Sequence, residues 1–407
     1  MTDLPILENG LILTADVRAA GLENVLSAAA GRGEFERIRR GVWAQTVPGS
    51  WRTEPERGEL KYRRAVLAAS LTLKRPVFTS FAGLALRRLP IFGRWPSDIY
   101  VLSRDAQGRK RAGLISVSGS YVPDVETVDG IATTSIEFTL IQVCRHGTLA
   151  AALTAVDAAL HRPRFGDTQP KTTIERLRAE HERLLPYRGS RRTDAVLARA
   201  TALADTPLET VSRLVIEELG FEAPELQHEL WLPELGKRAF LDFWWPSVGA
   251  AAEADGKGKY RGGVPEAGGG AAQPMSRAES GGSRAVVMAT GGTTVAGAAE
   301  IGPKTRAARA ATEAMRAAAV AAKAAADAVI SEKERENAIR RQVRAFDRWG
   351  WGETMQKTPV ERRLTAMKVP RPKRRRLLVG SPDAPAALPS ARRRSHGSKV
   401  RRPEQGS

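Results

Sequence analysis

The sequence predicts a mixed α/β protein, and three observations carry that expectation. Stretches with apolar residues at helical spacing, such as TSIEFTLIQVC and TPLETVSRLVIEEL, alternate with short runs of period-two patterning, such as DIYVLS and LDFWW. At 407 residues, 42% of them hydrophobic, the chain can build two or three domains with their own cores. A Gly-, Ala- and Ser-rich run after Tyr260 breaks this pattern late in the chain.

Lysine and arginine outnumber aspartate and glutamate by 64 to 45, a net charge of +19. Such an excess points to an acidic partner, nucleic acid above all, and speaks to association rather than fold. The only cysteine, Cys144, lies in an apolar helical run, so no intramolecular disulfide can form and a cytoplasmic location is expected. It reads as a small core residue. The five histidines are scattered without metal-ligand spacing. The opening MTDLPILENG is too short and too acidic for a signal peptide, and no apolar run approaches a membrane span. The expectation is a soluble protein with no membrane partner and an oligomeric state the sequence leaves open.

From the N-terminus, Thr14 can cap a helix ADVRAA that Gly21 ends, and a second helix follows from Asn24 to Gly31. FERIRRGVWA then places Phe35, Arg37, Ile38 and Val42 around Gly41 like a β-ribbon. Helix, turn, helix and ribbon is the order of a winged helix-turn-helix, assigned here to residues 1–48. On that reading Asn24, Ser27, Arg32, Arg37, Arg39 and Arg40 are the candidate DNA contacts; the alternative is a small helical cap. WRTEPERGE is expected as a polar hinge. Residues 58–165 read as an α+β domain, with helices over Arg64–Lys74 and VFTSFAGLALRRL, strands DIYVLS and GLISVSGSYV, and a helix pair capped by Ser135. Arg109, Lys110 and Arg111 are expected in a solvated loop between those strands. Residues 166–200 form a helical linker with a charged helix over Pro170–Tyr187 and a basic turn RGSRRTD.

Residues 201–260 and 331–370 hold the densest chemistry. A helix buries Val211, Leu214, Val215, Ile216 and Leu219 and carries Glu209 near its start, where the helix dipole favours a carboxylate. ELQHELWL and LDFWW form a hairpin, and the next strand brings Glu253 and Asp255 to one parity, with Lys257 and Lys259 beyond. Two carboxylates and an amine at a strand end can hold Mg²⁺ and serve a phosphate and a nucleophilic water. The competing account is a charged turn after a buried hairpin. Residues 261–330 are expected as a low-complexity insertion, disordered and then helical, leading into the helix EKERENAIRRQV; FDRWGW is expected as a closing strand. Residues 371–407 read as a basic disordered tail able to bind polyanions without sequence choice.

Two resemblances sharpen this reading. The first segment, through RRGVWA, and the middle, through LRRLPIFGRWP and VDGIATTSIEFTLI, resemble AbiEi-type abortive-infection antitoxins. The later segment resembles the very-short-patch-repair branch of the PD-(D/E)xK nuclease superfamily. There Glu209 matches the helix acid, Asp242 in LDFWW the motif aspartate, Glu253-Ala254-Asp255-Gly256 the third element, and EKERENAIRRQV the downstream basic helix. The superfamily lysine two residues after the glutamate is Asp255 here, so Lys257 or Lys259 takes its place. The resemblance implies a Mg²⁺-dependent DNA endonuclease, a hydrolase with Asp242 and Glu253 on the metal, Asp255 assisting, Glu209 as an outer carboxylate and a lysine supporting the attacking water. The alternatives are an antitoxin-like transcriptional regulator with a silent nuclease fold, and a toxin–antitoxin component that acts through a partner toxin.

Overall fold

The computed structural model describes residues 4–47, 53–103, 108–111, 113–118, 121–164, 167–255 and 330–388. Lys257, Lys259, nearly all of the expected insertion, and the chain after residue 388 lie outside them. The described protein is mixed α/β, with several small sheets among many helices. It divides into two compact units: Met1–Trp231 with Arg238–Asp255 and Val343–Ser407, and Leu232–Lys237 with Gly256–Gln342. In the first, one buried cluster runs from Leu11 to Ala386, so the segments read as head, middle and C-terminal domain share a core. In the second, the described residues are a hairpin tip and a helix, tied to each other by an ion pair between Arg341 and Glu234.

The first segment contains β1 (Leu11–Leu13), α1 (Thr14–Ala19), α2 (Glu23–Gly31), β2 (Phe35–Arg39) and β3 (Val42–Gln45), with sheet order β1-β3-β2. The β2–β3 ribbon turns at Gly41, and its register shifts between Arg37 and Arg39. Strand β1 had no expectation, because three residues give no period. Thr14 does not cap α1; it is the first helical residue, and its hydroxyl accepts from the Trp43 indole at 3.2 Å.

α3 (Glu54–Thr72) starts inside the expected hinge. Thr53 and Glu56 form a capping box and Pro55 sits in the first turn, so the charged residues open a helix instead of a linker. α4 (Ser80–Leu86) follows, then β4 (Ile99–Leu102), β5 (Arg109–Arg111) and β6 (Leu114–Val117). The expected loop Arg109–Arg111 is a strand: it pairs antiparallel with β6, while β4 pairs parallel with β6 on its other side. The three cations alternate against an edge, and Lys110 meets Asp98 at 2.9 Å. β7 (Val125–Val128) and β8 (Ile131–Thr134) make a hairpin through Asp129-Gly130, both at positive φ, which is the favoured two-residue turn.

α5 (Ile136–His146) and α6 (Leu149–Leu160) are capped by Ser135 and Thr148. Burial pushes the Cys144 thiol on α5 up to about 12, as befits a core residue. α7 (Ile174–Leu184) is shorter than expected, and the basic turn is instead the start of α8 (Ser190–Leu197), entered through left-handed Gly189. α9 (Pro207–Leu219) begins at Thr206 and ends at left-handed Gly220. All five residues expected on its core face are buried.

The last sheet has the order β12-β11-β10-β9: β9 (Glu225–Leu232), β10 (Lys237–Trp245), β11 (Ala250–Ala254) and β12 (Ala345–Trp349). β10 and β11 are antiparallel, whereas β11 and β12 are parallel and need a crossover, which contains α10, described over 330–342. Large and small residues interlock here: Ala250, Ala251 and Ala252 are fully buried, flanked by Trp245 and Trp349. Phe243 stacks on Trp349 at 5.5 Å, and the Trp349 indole donates to Ser212 of α9 at 3.0 Å. FDRWGW is only partly strand, because α11 (Trp351–Gln356) starts within it; α12 (Thr358–Ala366) follows.

Residues 371–388 are a packed strap, in contrast to the free tail expected from 371. Buried Glu218 on α9 accepts from Lys357 Nζ at 2.5 Å and from the Leu378 and Val379 amides at 3.1 and 2.8 Å. Further on, the Arg94 amide donates to Ala384 and the Leu388 amide to His146. Buried backbone partners, invisible in a charge pattern, fix this segment.

Candidate functional site

The start of α9, the middle of β9 and β10, and the end of β11 meet around three carboxylates. Glu209 sits one turn into α9, and its side chain folds back: Oε2 accepts from the Asp205 amide at 2.9 Å and Oε1 from the Thr206 hydroxyl at 2.8 Å. The Glu209 amide in turn donates to Thr206 at 3.2 Å, so the acid is part of the helix start that its position suggests.

Along β10, Leu241, Phe243 and Trp245 turn into the core, and Asp242 and Trp244 occupy the other parity. The antiparallel register, with Phe243 opposite Ala252, sets Glu253 next in line with Asp242. The Asp242 carboxylate accepts from the Ala254 amide at 2.8 Å. Gln227 on β9 joins the two elements: its Nε2 donates to Glu209 at 3.1 Å and to Asp242 at 3.4 Å. Gln227 is held at positive φ inside a strand, an uncommon conformation for a non-glycine residue, and its Oε1 accepts from Arg164. Arg164 also lies 3.7 Å above the Phe240 ring.

Electrostatics single out Asp242. Burial, then the charge of Glu209, then those of Glu253 and Asp205 push its carboxyl up to about 8, against the pull of the Ala254 amide. Burial also raises Glu209, with the Asp205 charge adding to it and its hydrogen bonds opposing. Glu253 differs: it is buried and bonded to Arg348 at 2.6 Å, its neighbour on parallel β12. Asp255 continues the β11 backbone, its amide donating to Trp349 at 2.8 Å. Glu209, Asp242 and Glu253 therefore come together although the chain separates them. Among the described residues, no group of three or more His, Cys, Asp and Glu is arranged to hold a metal ion.

Gln227, Arg164, Asp205 and Arg348 had no place in the sequence reading. A glutamine inside ELQHELWL carries no period or motif, and an arginine on a closing strand reads as surface. Only Asp205, four residues before Glu209 in DTPLE, stood in a legible helix-start pattern.

The candidate DNA contacts lie on α2 and the β2–β3 ribbon. Asn24, Ser27, Arg32, Arg37 and Arg40 are exposed and Arg39 is half-buried. Arg32 is bound by both oxygens of Glu34, at 2.6 and 3.1 Å, which holds that carboxyl below its ordinary range and offsets the cation. No helix is long and apolar enough to cross a membrane among the described residues.

No family model matches the sequence. Over 155 residues the chain is 27% identical to the uncharacterized proteins MT2308 and Rv2248 of two Mycobacterium tuberculosis strains, a match covering 38% of this chain and 54% of each relative. The chain thus spans about half the length of the curated relatives it matches.

Proposed function

We propose that the protein binds DNA and that the corner formed by Glu209, Asp242 and Glu253 hydrolyses phosphodiester bonds with a divalent cation, as the resemblance to PD-(D/E)xK nucleases implies. The observation that carries this reading is one amide, Gln227 Nε2, bonded to the carboxylates of both α9 and β10, with Glu253 beside them on β11. The order α9-β9-β10-β11-α10-β12, with β12 parallel to β11, supports the same fold reading. The α1–α2–ribbon order supports a winged helix-turn-helix head on an AbiEi-like middle.

The donors suit Mg²⁺ chemically: they are oxygens crowded by like charge, Glu209 and Glu253 buried and Asp242 half-buried, and Mg²⁺ takes one or two carboxylates together with water and substrate phosphate. Asp242 and Glu253 would hold it, with Glu209 as outer carboxylate. Bound there, the ion would neutralise phosphate charge and lower the pKa of a water. Asp242 must give up its proton, Gln227 keeps Asp242 and Glu209 in register, and Glu253 must exchange Arg348 for the cation. Asp255 would assist, and Lys257 or Lys259, outside the described residues, would support the attacking water.

A second reading is favoured by the engagement of Glu253 with Arg348 and by the Asp255 substitution. In it the nuclease fold is silent and serves an antitoxin-like regulator, with a toxin as partner. A plasmid-nicking assay with Mg²⁺, Mn²⁺ or EDTA separates the two. Cation-dependent nicking that Asp242→Ala abolishes is the expected result. DNA binding with no nicking under any cation assigns the silent role.

A further inference from the structure

From Arg362 to Arg376 the chain reads RRLTAMKVPRPKRRR, eight cations and no acid. The backbone there is fixed. Pro370 O accepts from the Glu222 amide at 2.8 Å, and the Lys373 and Arg376 amides donate to Gly220 and Glu218 at 3.2 and 3.0 Å. Val369 and Val379 are buried at either end. Gly220, at φ +85, lets the strap pass so closely that a Cβ there would lie 2.2 Å from the Lys373 carbonyl.

The cations fall into two sets, paired and unpaired, and Arg363 belongs to the paired one through Asp347 at 3.0 Å and Glu353 at 2.6 Å. Arg371 and Arg375 share Glu361, and Arg376 pairs with Glu217, so these three hold the strap to α12 and α9. Arg371 also lies 5.3 Å over the Phe221 ring. Arg362, Lys368, Lys373 and Arg374 are exposed and meet no carboxylate among the described residues. A free tail of this composition would be an ordinary solvated run, and binding would have to order it residue by residue at an entropic cost. Here that ordering has already taken place in the fold, and the uncompensated charges are carried on a fixed backbone.

We propose that Arg362, Lys368, Lys373 and Arg374 form a preorganised strip that binds the phosphate backbone of duplex DNA. Residues 368–376 span at most about 27 Å, several phosphates on one strand. The strip is anchored at Gly220, about 16 Å along α9 from Glu209, or about five base-pair steps. The strip and the carboxylate corner thus sit at opposite ends of one helix, and the inference rests on the DNA reading above. The strip contributes affinity and register without base choice.

The test is binding of the full chain to a duplex of about two helical turns, in EDTA, over about 50 to about 300 mM salt. Neutralising the strip with R362Q/K368Q/K373Q/R374Q should reduce the slope of log K against log salt by about 3.6, with an unchanged melting temperature. The smaller variant K373Q/R374Q should reduce it by about 2 and serves if the fourfold variant melts early. A wild type that binds DNA with a slope neither variant alters overturns the strip and leaves the nuclease reading standing. Binding with the expected slope loss but no cation-dependent nicking sustains the strip and removes the nuclease reading alone. Preference for duplex RNA with the same slope loss overturns the choice of DNA, and absence of any binding overturns both.

Discussion

Asp157 on α6, buried, and Asp242 on β10, half-buried, are aspartates of the same compact unit, and their surroundings treat them in opposite ways. Burial raises both, to about 6 and about 8. Around Asp157 every other contact favours the anion: Arg213 at 2.8 Å, the Thr210 hydroxyl at 2.9 Å and the Thr201 amide at 2.9 Å. Around Asp242 the charges of Glu209, Glu253 and Asp205, all of its own sign, add to burial, and the Ala254 amide opposes them. An acid that is buried with its counter-charge fastens α6 to α9. One that is half-buried among like charges, with only the Ala254 amide and Gln227 to oppose them, strains the fold when ionised, which makes it a candidate for a ligand's use.

The comparison breaks first at Asp157. Asp157→Ala leaves Arg213 without its carboxylate and orphans two further donors, so it should cost about 3–5 kcal/mol, read as a lower urea midpoint. A loss under about 1 kcal/mol would mean that Asp157 is no rivet.

Asp242→Asn should act in the opposite direction. The folded carboxyl titrates near 8 and an unfolded one near 4, so between those values the native state holds a proton that the unfolded state lacks. Wild-type stability contributed by this group therefore falls as pH rises from about 4 to about 8 and is flat outside that window. The amide has no such dependence. In EDTA the variant should match the wild type near pH 4 and exceed it at pH 8 by on the order of 2–4 kcal/mol, the shared charge with Glu209 trimming the full value. Parallel pH profiles for the two proteins would remove the like-charge account.

Much of the scaffold of this corner is legible in the sequence. Period-two runs marked β9 and β10, helical spacing marked the buried face of α9, and the positions of Glu209, Asp242 and Glu253 followed from those elements. What stayed hidden depends on neighbours distant in sequence. Arg348 pairs with Glu253 only because β12 lies parallel to β11, and Gln227 reaches two carboxylates only through a left-handed backbone in mid-strand. The strap at 371–388 misled for a related reason: its charge pattern reads as solvated, while its backbone bonds to Glu218 and Gly220 carry no local signal. The Asp129-Gly130 hairpin and the capping box at Thr53 do carry local signals, a two-residue turn pair and a Thr-x-x-Glu spacing, although the second lies in a charged, proline-containing stretch that resembles a hinge.

The central claim is that the Asp242 corner keeps a proton until a divalent cation takes its place. A ligand carboxylate must be deprotonated to bind, so cation binding at pH 7 should release about 0.9 proton from a group titrating near 8. Calorimetric titration of Mn²⁺ into the full chain, in two buffers of different ionisation enthalpy, reads that number directly. The account predicts a binding heat that changes with the buffer in the wild type and is absent in Asp242→Asn. Saturable binding with a buffer-independent heat, or equal binding by both proteins, would contradict it.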